Sequence, residues 1–127
     1  MHLPLIWREK NSDFEIVHVD PRDILYIYVE GGSLRYQTAD RTYTQITTLD
    51  EQERYLRDQG FVRTERGYLA NIDAVTWYDP AFGRLQFGKT SDDVALSVPV
   101  SRAKSGAVRA LNLREVPPVR FGRYAYI

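Results

Sequence analysis

Short apolar runs broken by turn residues fill most of this chain, and many of them alternate apolar and polar positions with the period of a strand. Leu3 to Trp7 and Phe14 to Val19 flank the polar turn Lys10-Asn11-Ser12-Asp13, which predicts a first pair of antiparallel strands. Asp20-Pro21-Arg22-Asp23 then breaks the chain, with proline presetting the turn. Ile24-Leu25-Tyr26-Ile27-Tyr28-Val29 is apolar on both of its alternating faces, the pattern of a central strand covered on two sides. Gly31-Gly32 supplies a tight hairpin link to Leu34–Thr38, and Ala39-Asp40 links that strand to Arg41–Ile46.

The period changes once in the middle of the chain. Thr48 followed by Glu51 is a capping-box pattern, Leu49 and Leu56 share a helical face, and Gly60 stops the helix. Strands are predicted again at 61–64, 68–71, 74–78, 85–87 and 94–100, separated by Asp79-Pro80-Ala81-Phe82-Gly83 and Lys89-Thr90-Ser91-Asp92-Asp93. A second short helix is expected from Ser101, with Ala103, Ala107 and Leu111 on one face, before Pro117-Pro118 ends it. The fold class is mainly β, with small antiparallel sheets and one or two short helices. Residues 1–116 form a single domain, and 117–127 form a Pro-initiated tail that interleaves basic and aromatic residues. Such a tail could stack on bases or pack as a last strand on its own domain or a second copy.

Composition narrows the function. The chain has 127 residues, 43% hydrophobic and 27% charged, an ordinary balance for a globular domain with a real core. No apolar run approaches the roughly 18 residues of a membrane span, and the N-terminus lacks a signal-peptide pattern. Without cysteine there is no thiol nucleophile, disulfide or thiolate metal site, and a cytoplasmic location is expected. The formal net charge is zero, but it is unevenly spread. Residues 1–59 hold 7 Lys+Arg against 11 Asp+Glu, whereas residues 60–127 hold 10 against 6. A chain polarised in this way presents a basic face despite a neutral average.

Enzyme chemistry finds little support. His18, Asp20 and Asp23 could be assembled into a metal site, but they read more simply as a strand end and a turn. No phosphate-cradling glycine loop, nucleophile elbow or paired-histidine helix occurs, so neither a cofactor nor a catalytic role is expected. An apolar groove lined by Tyr26, Tyr28 and Trp77 could take a small ligand, although these residues are more simply core.

The arginines carry more weight. Arg63 and Arg66 are three apart, so they cannot share one face of a continuous strand. A bend is expected between them, and Gly67 suits it. Either the two are solvated charges beside Glu65, or their guanidinium forks project from a loop toward phosphates or guanine edges. Arg102 and Lys104 sit at the expected start of the second helix, where the macrodipole disfavours cations by a few tenths of a kcal/mol. Their placement there makes sense if an anion docks against them and the free backbone N–H groups.

Four blocks in order resemble the LytTR DNA-binding domain of bacterial response regulators, from about Val19 to Leu111. They are Asp23-Ile24-Leu25-Tyr26-Ile27 with its hairpin, Thr48-Leu49, Phe61-Val62-Arg63-Thr64-Glu65-Arg66-Gly67-Tyr68-Leu69-Ala70-Asn71-Ile72, and Val98-Pro99-Val100-Ser101-Arg102. The resemblance implies an elongated arrangement of small antiparallel sheets that inserts loops into successive major grooves of double-stranded DNA. It implies promoter direct repeats occupied by two copies, with a homodimer as one arrangement. It places base contacts near Gly32-Ser33, at Arg66 and at Arg102, and phosphate contacts at Arg63, Lys104 and Arg35. Asn71 is expected behind the contact loop, fixing its backbone. The chain departs from the pattern at its Gly31-Gly32-Ser33 tip, which reads little, and at Glu65, where the family commonly has histidine. No receiver module precedes the match, which implies a stand-alone regulator or a fragment. The rival expectation is a protein-interaction module, an antagonist or adaptor of a full-length regulator, favoured by the neutral charge, Glu65 and the glycine tip.

Overall fold

The strand that is apolar on both faces organises the molecule. The computed structural model describes residues 1–8 and 13–118. Within them the strands are β1 (Leu3–Arg8), β2 (Phe14–Val19), β3 (Tyr26–Glu30), β4 (Ser33–Gln37), β5 (Thr42–Gln45), β6 (Phe61–Glu65), β7 (Tyr68–Asn71), β8 (Trp77–Asp79), β9 (Arg84–Gln86) and β10 (Ser97–Pro99). The helices are α1 (Leu49–Tyr55) and α2 (Arg102–Arg109). Seven strands join in the order β2-β1-β5-β4-β3-β7-β6, and three more in the order β10-β9-β8. Every pairing between these strands is antiparallel. The fold is mainly β, as expected, though its principal sheet is larger than a set of small sheets.

β3 lies between β4 and β7, and its first half is buried on both faces through Tyr26 and Ile27, while Val29 and Glu30 emerge into solvent near the tip. Ile27 pairs with Tyr36 and Leu69 across the sheet, and these side chains form one core with Leu5, Tyr43, Leu49 and Leu56 under α1. On the opposite face Tyr26 and Ala70 join Tyr78, Leu85, Phe87, Val98 and Val108, a second core shared with the small sheet and α2. Each fully buried Leu or Ile contributes about 1.5–3 kcal/mol of transfer free energy, so both layers are strongly held.

The turns follow their residues. Gly31 and Gly32 have φ of 59° and 79°, the paired positive values of a two-residue hairpin whose twist matches its strands. The Thr48 hydroxyl accepts from the Glu51 N–H at 3.2 Å, and Gly60 ends the helical segment at φ 86°. The polar turn expected at Lys10-Asn11-Ser12-Asp13 lies outside the described residues except for Asp13.

Two strands are shorter than expected, and the core decides which face of α2 is covered. The strand expected at 74–78 begins only at Trp77, because Ile72–Ala74 forms a 3-10 turn where the chain crosses from one sheet to the other. The strand expected at 94–100 shortens to Ser97–Pro99. There the Asp93 carboxylate accepts from the Ala95 N–H and the Ser97 hydroxyl donates to the Val94 carbonyl, local bonds that compete with a ladder. The buried face of α2 is not that of Ala103, Ala107 and Leu111. Val108 is the fully buried residue, while both alanines and Leu111 are exposed. Alanine offers too little apolar area to set a helix's rotation, and Val108 packs with the flanking Val100 and Leu113 in the second core.

Candidate nucleic-acid interface

The bend expected between Arg63 and Arg66 is present, but its cause differs. Arg63 pairs with Leu69 and Glu65 with Tyr68, leaving Thr64 as the extra residue of a β-bulge. Gly67 is not among the glycines of positive φ, so its conformational freedom is not what makes the turn. The bulge has a consequence for the site. Thr64 is buried, and its carbonyl accepts from the Ser101 N–H at 2.9 Å. Ser101 is the N-cap residue of α2, so the turn bearing Arg66 and the helix start bearing Arg102 are joined by a backbone hydrogen bond.

The hairpin tip is joined to the same turn. The Val29 N–H donates to the Gly67 carbonyl at 3.2 Å, and the Tyr28 and Tyr68 rings stack at 5.9 Å between centroids. The tip Gly31-Gly32-Ser33, the turn Glu65-Arg66-Gly67 and the start Ser101-Arg102 are therefore neighbours in this order. Arg66, Arg102 and Lys104 are exposed. Among the described residues none of the three forms an ion pair.

The other expected residues are placed differently. The Ser33 hydroxyl donates to the Glu30 carbonyl at 3.3 Å within the tip. Arg35 lies two residues along β4 from Ser33, half-buried opposite Tyr28, and its Nε is buried without a hydrogen-bond partner among the described residues. Asn71 is buried at the far end of β7 from the turn. Its Nδ2 donates to the Ile24 carbonyl at 2.9 Å, fixing the entry to β3 rather than the contact loop.

Arg63 is the most committed. Nη1 lies 2.9 Å from Asp50 Oδ1 and 2.9 Å from Glu53 Oε1, while Nε and Nη2 donate to the Arg66 carbonyl at 3.0 and 2.6 Å. Its side chain is only 18% exposed. Burial pushes its pKa down, but the two carboxylates outweigh this and hold the guanidinium above its ordinary value. Nothing local in the sequence announces these partners, because α1 lies 10 and 13 residues upstream. Arg109, too, has no place among the expected site residues. It lines a groove of about 350 Å³ with Arg102, Ser105, Gly83 and the exposed Phe82. Its spacing of seven from Arg102, two helical turns, was the available signal.

Two exposed basic side chains thus stand on backbone-linked loops beside a glycine tip. A model of the LytTr DNA-binding domain matches residues 15–112. The chain belongs to this family. The LytTr family is one of DNA-binding domains used in transcription regulation, not a family of enzymes. This LytTr domain is 31% identical over 96 residues to the sensory transduction protein LytT of Bacillus subtilis (strain 168), which covers 76% of this chain and 39% of that protein. It is 34% identical over 67 residues to LytT of Bacillus anthracis, covering 53% of this chain and 27% of that one. The chain thus spans about two fifths or less of the length of these relatives. Among solved structures, the LytTr DNA-binding domain of a methyl-accepting/DNA response regulator from Bacillus cereus shares the fold. Its TM-score is 0.65 at 19% identity, over 87% of this chain and 97% of that one. No helix of the described residues is long and apolar enough to cross a membrane.

Proposed function

We propose that this domain is a sequence-specific reader of bacterial promoter DNA, acting in the cytoplasm as two copies on direct repeats. The β3–β4 tip, the β6–β7 turn and the start of α2 enter successive major grooves. Arg66 and Arg102 read base edges, as the guanidinium fork does with guanine O6 and N7. Lys104 and Arg35 position phosphates, Ser33 touches backbone at the tip, and Asn71 holds the sheet behind the site. The observation that carries this reading is the 2.9 Å bond between Ser101 N–H and the Thr64 carbonyl, which fixes the two exposed arginine loops relative to each other. A rigid spacing between readers is what groove-to-groove recognition requires.

Selection of bound duplexes from a random DNA pool at physiological salt tests it, with an Arg66→Ala, Arg102→Ala double variant as control. Enrichment of a repeated motif that the variant loses supports the reading and supplies the operator. No enrichment from folded protein refutes it. The second reading, a protein-interaction module, is favoured by β2, an edge strand of the large sheet, where Phe14 is 60% and Ile16 53% exposed. Salt separates the two, because each phosphate engaged adds roughly −0.9 to the slope of log affinity against log salt.

A further inference from the structure

We propose that Arg63 is a positioning residue that fixes the Arg66–Gly67 peptide plane, and that α1 sets the aim of the Arg66 reader through it. The inference rests on the reading of Arg66 as a base contact. One peptide unit follows Arg66, consisting of the Arg66 carbonyl and the Gly67 N–H, and both of its ends are held. The carbonyl accepts two hydrogen bonds from Arg63, at 3.0 and 2.6 Å. The Gly67 N–H donates to Glu65 Oε2 at 3.2 Å. Arg63 is in turn oriented by Asp50 and Glu53 of α1, both at 2.9 Å. A peptide followed by glycine is free to rotate unless something holds it, and here a guanidinium fork and a carboxylate grip it from opposite sides.

The clamp accounts for two features that fit poorly with direct contact. With Nε, Nη1 and Nη2 all engaged and the side chain largely buried, Arg63 has little left for a phosphate. Glu65, a carboxylate beside a phosphate-facing turn, has an internal partner in the Gly67 N–H.

The test compares Arg63→Lys and an Asp50→Asn, Glu53→Gln double variant with the unmodified chain and Arg66→Ala. Binding is measured on the selected operator and on one changed at the base pair that Arg66 reads. Lysine keeps the charge that a phosphate contact needs but lacks the fork that bridges a carbonyl and two carboxylates. Neutralising Asp50 and Glu53 removes negative charge near DNA, so simple electrostatics predicts tighter binding everywhere. The clamp predicts instead that both variants lose discrimination at that base pair by roughly 5-fold or more. The salt slope is expected to stay unchanged. Retained discrimination in Arg63→Lys, or uniformly tighter binding by the Asp50/Glu53 variant, overturns the proposal. Hydrogen exchange of the Gly67 amide in the DNA-free protein decides independently. Both variants should accelerate it, and an unchanged rate overturns the clamp. If Arg66→Ala itself leaves discrimination intact, the Arg66 reading fails, and the exchange measurement alone then judges the clamp.

Discussion

Val108→Ala tests which face of α2 the protein buries, and with it the direction in which Arg102 points. Val108 is fully buried against Tyr78, Leu85 and Val98, while its neighbour Ala107 is exposed. Truncation removes two buried carbons, a transfer loss of about 1.6 kcal/mol at about 0.8 kcal/mol each. The cavity left in a core that relaxes only partly raises the cost to about 2–3 kcal/mol. For a domain of this size each kcal/mol lowers the melting temperature by roughly 3–6 °C, so a fall of roughly 6–18 °C is expected. Ala107→Gln, one residue away, should stay within about 0.5 kcal/mol because its side chain meets water. Urea titration followed by circular dichroism gives both free energies, and a thermal scan gives the melting shift. If the two variants cost the same, or Ala107→Gln costs more, the helix is rotated from the position described. One residue corresponds to roughly 100° about the axis, enough to turn Arg102 away from the Arg66 turn.

Arg102→Ala should weaken binding to the selected operator by about 1–3 kcal/mol and relax preference at one base pair, measured by titration against single-base variants. A loss uniform across sequences would make Arg102 a phosphate contact instead. Gly32→Ala should destabilise the domain by about 1–2 kcal/mol in urea, since its φ of 79° strains a side-chain-bearing residue while the space around it is open; unchanged stability would contradict the tip geometry. The Asp20 carboxyl is lowered from 3.8 to about 2, first by the hydrogen bond from the Arg22 side chain and then by the Arg22 backbone N–H. A depressed carboxylate stabilises the fold above its unfolded pKa and loses that contribution as pH falls through the folded one. Asp20→Asn should therefore lower stability at pH 6, with the difference shrinking between about pH 4 and pH 2. Carboxyl NMR showing Asp20 titrating at its ordinary value would refute this.

The elements legible in the sequence were those whose signals are local. The paired positive-φ glycines of the hairpin, the Thr48 cap, the stop at Gly60 and the doubly apolar β3 all depend on residues within a few positions of one another. The four blocks that resemble the LytTR domain were equally visible, because order and spacing along a chain are one-dimensional facts. The failures share a cause. The rotation of α2 was not legible, because alanine spacing is a weak guide when one larger side chain, Val108, anchors the helix in a distant core. The bend at Arg66 was credited to Gly67, yet a bulge at Thr64 makes it, and its carbonyl serves a helix N-cap 37 residues later.

The sequence by itself determined the class of fold, the family, and the presence of basic residues at two loops. Tertiary structure alone decided how those residues divide the work. Arg63 and Arg66 are indistinguishable as chemistry and lie three residues apart. One is drawn into the protein by Asp50 and Glu53, while the other is left in solvent beside Arg102. The difference arises because a strand sends successive side chains to opposite faces, a single bulge resets that alternation, and what waits on each face comes from distant parts of the chain.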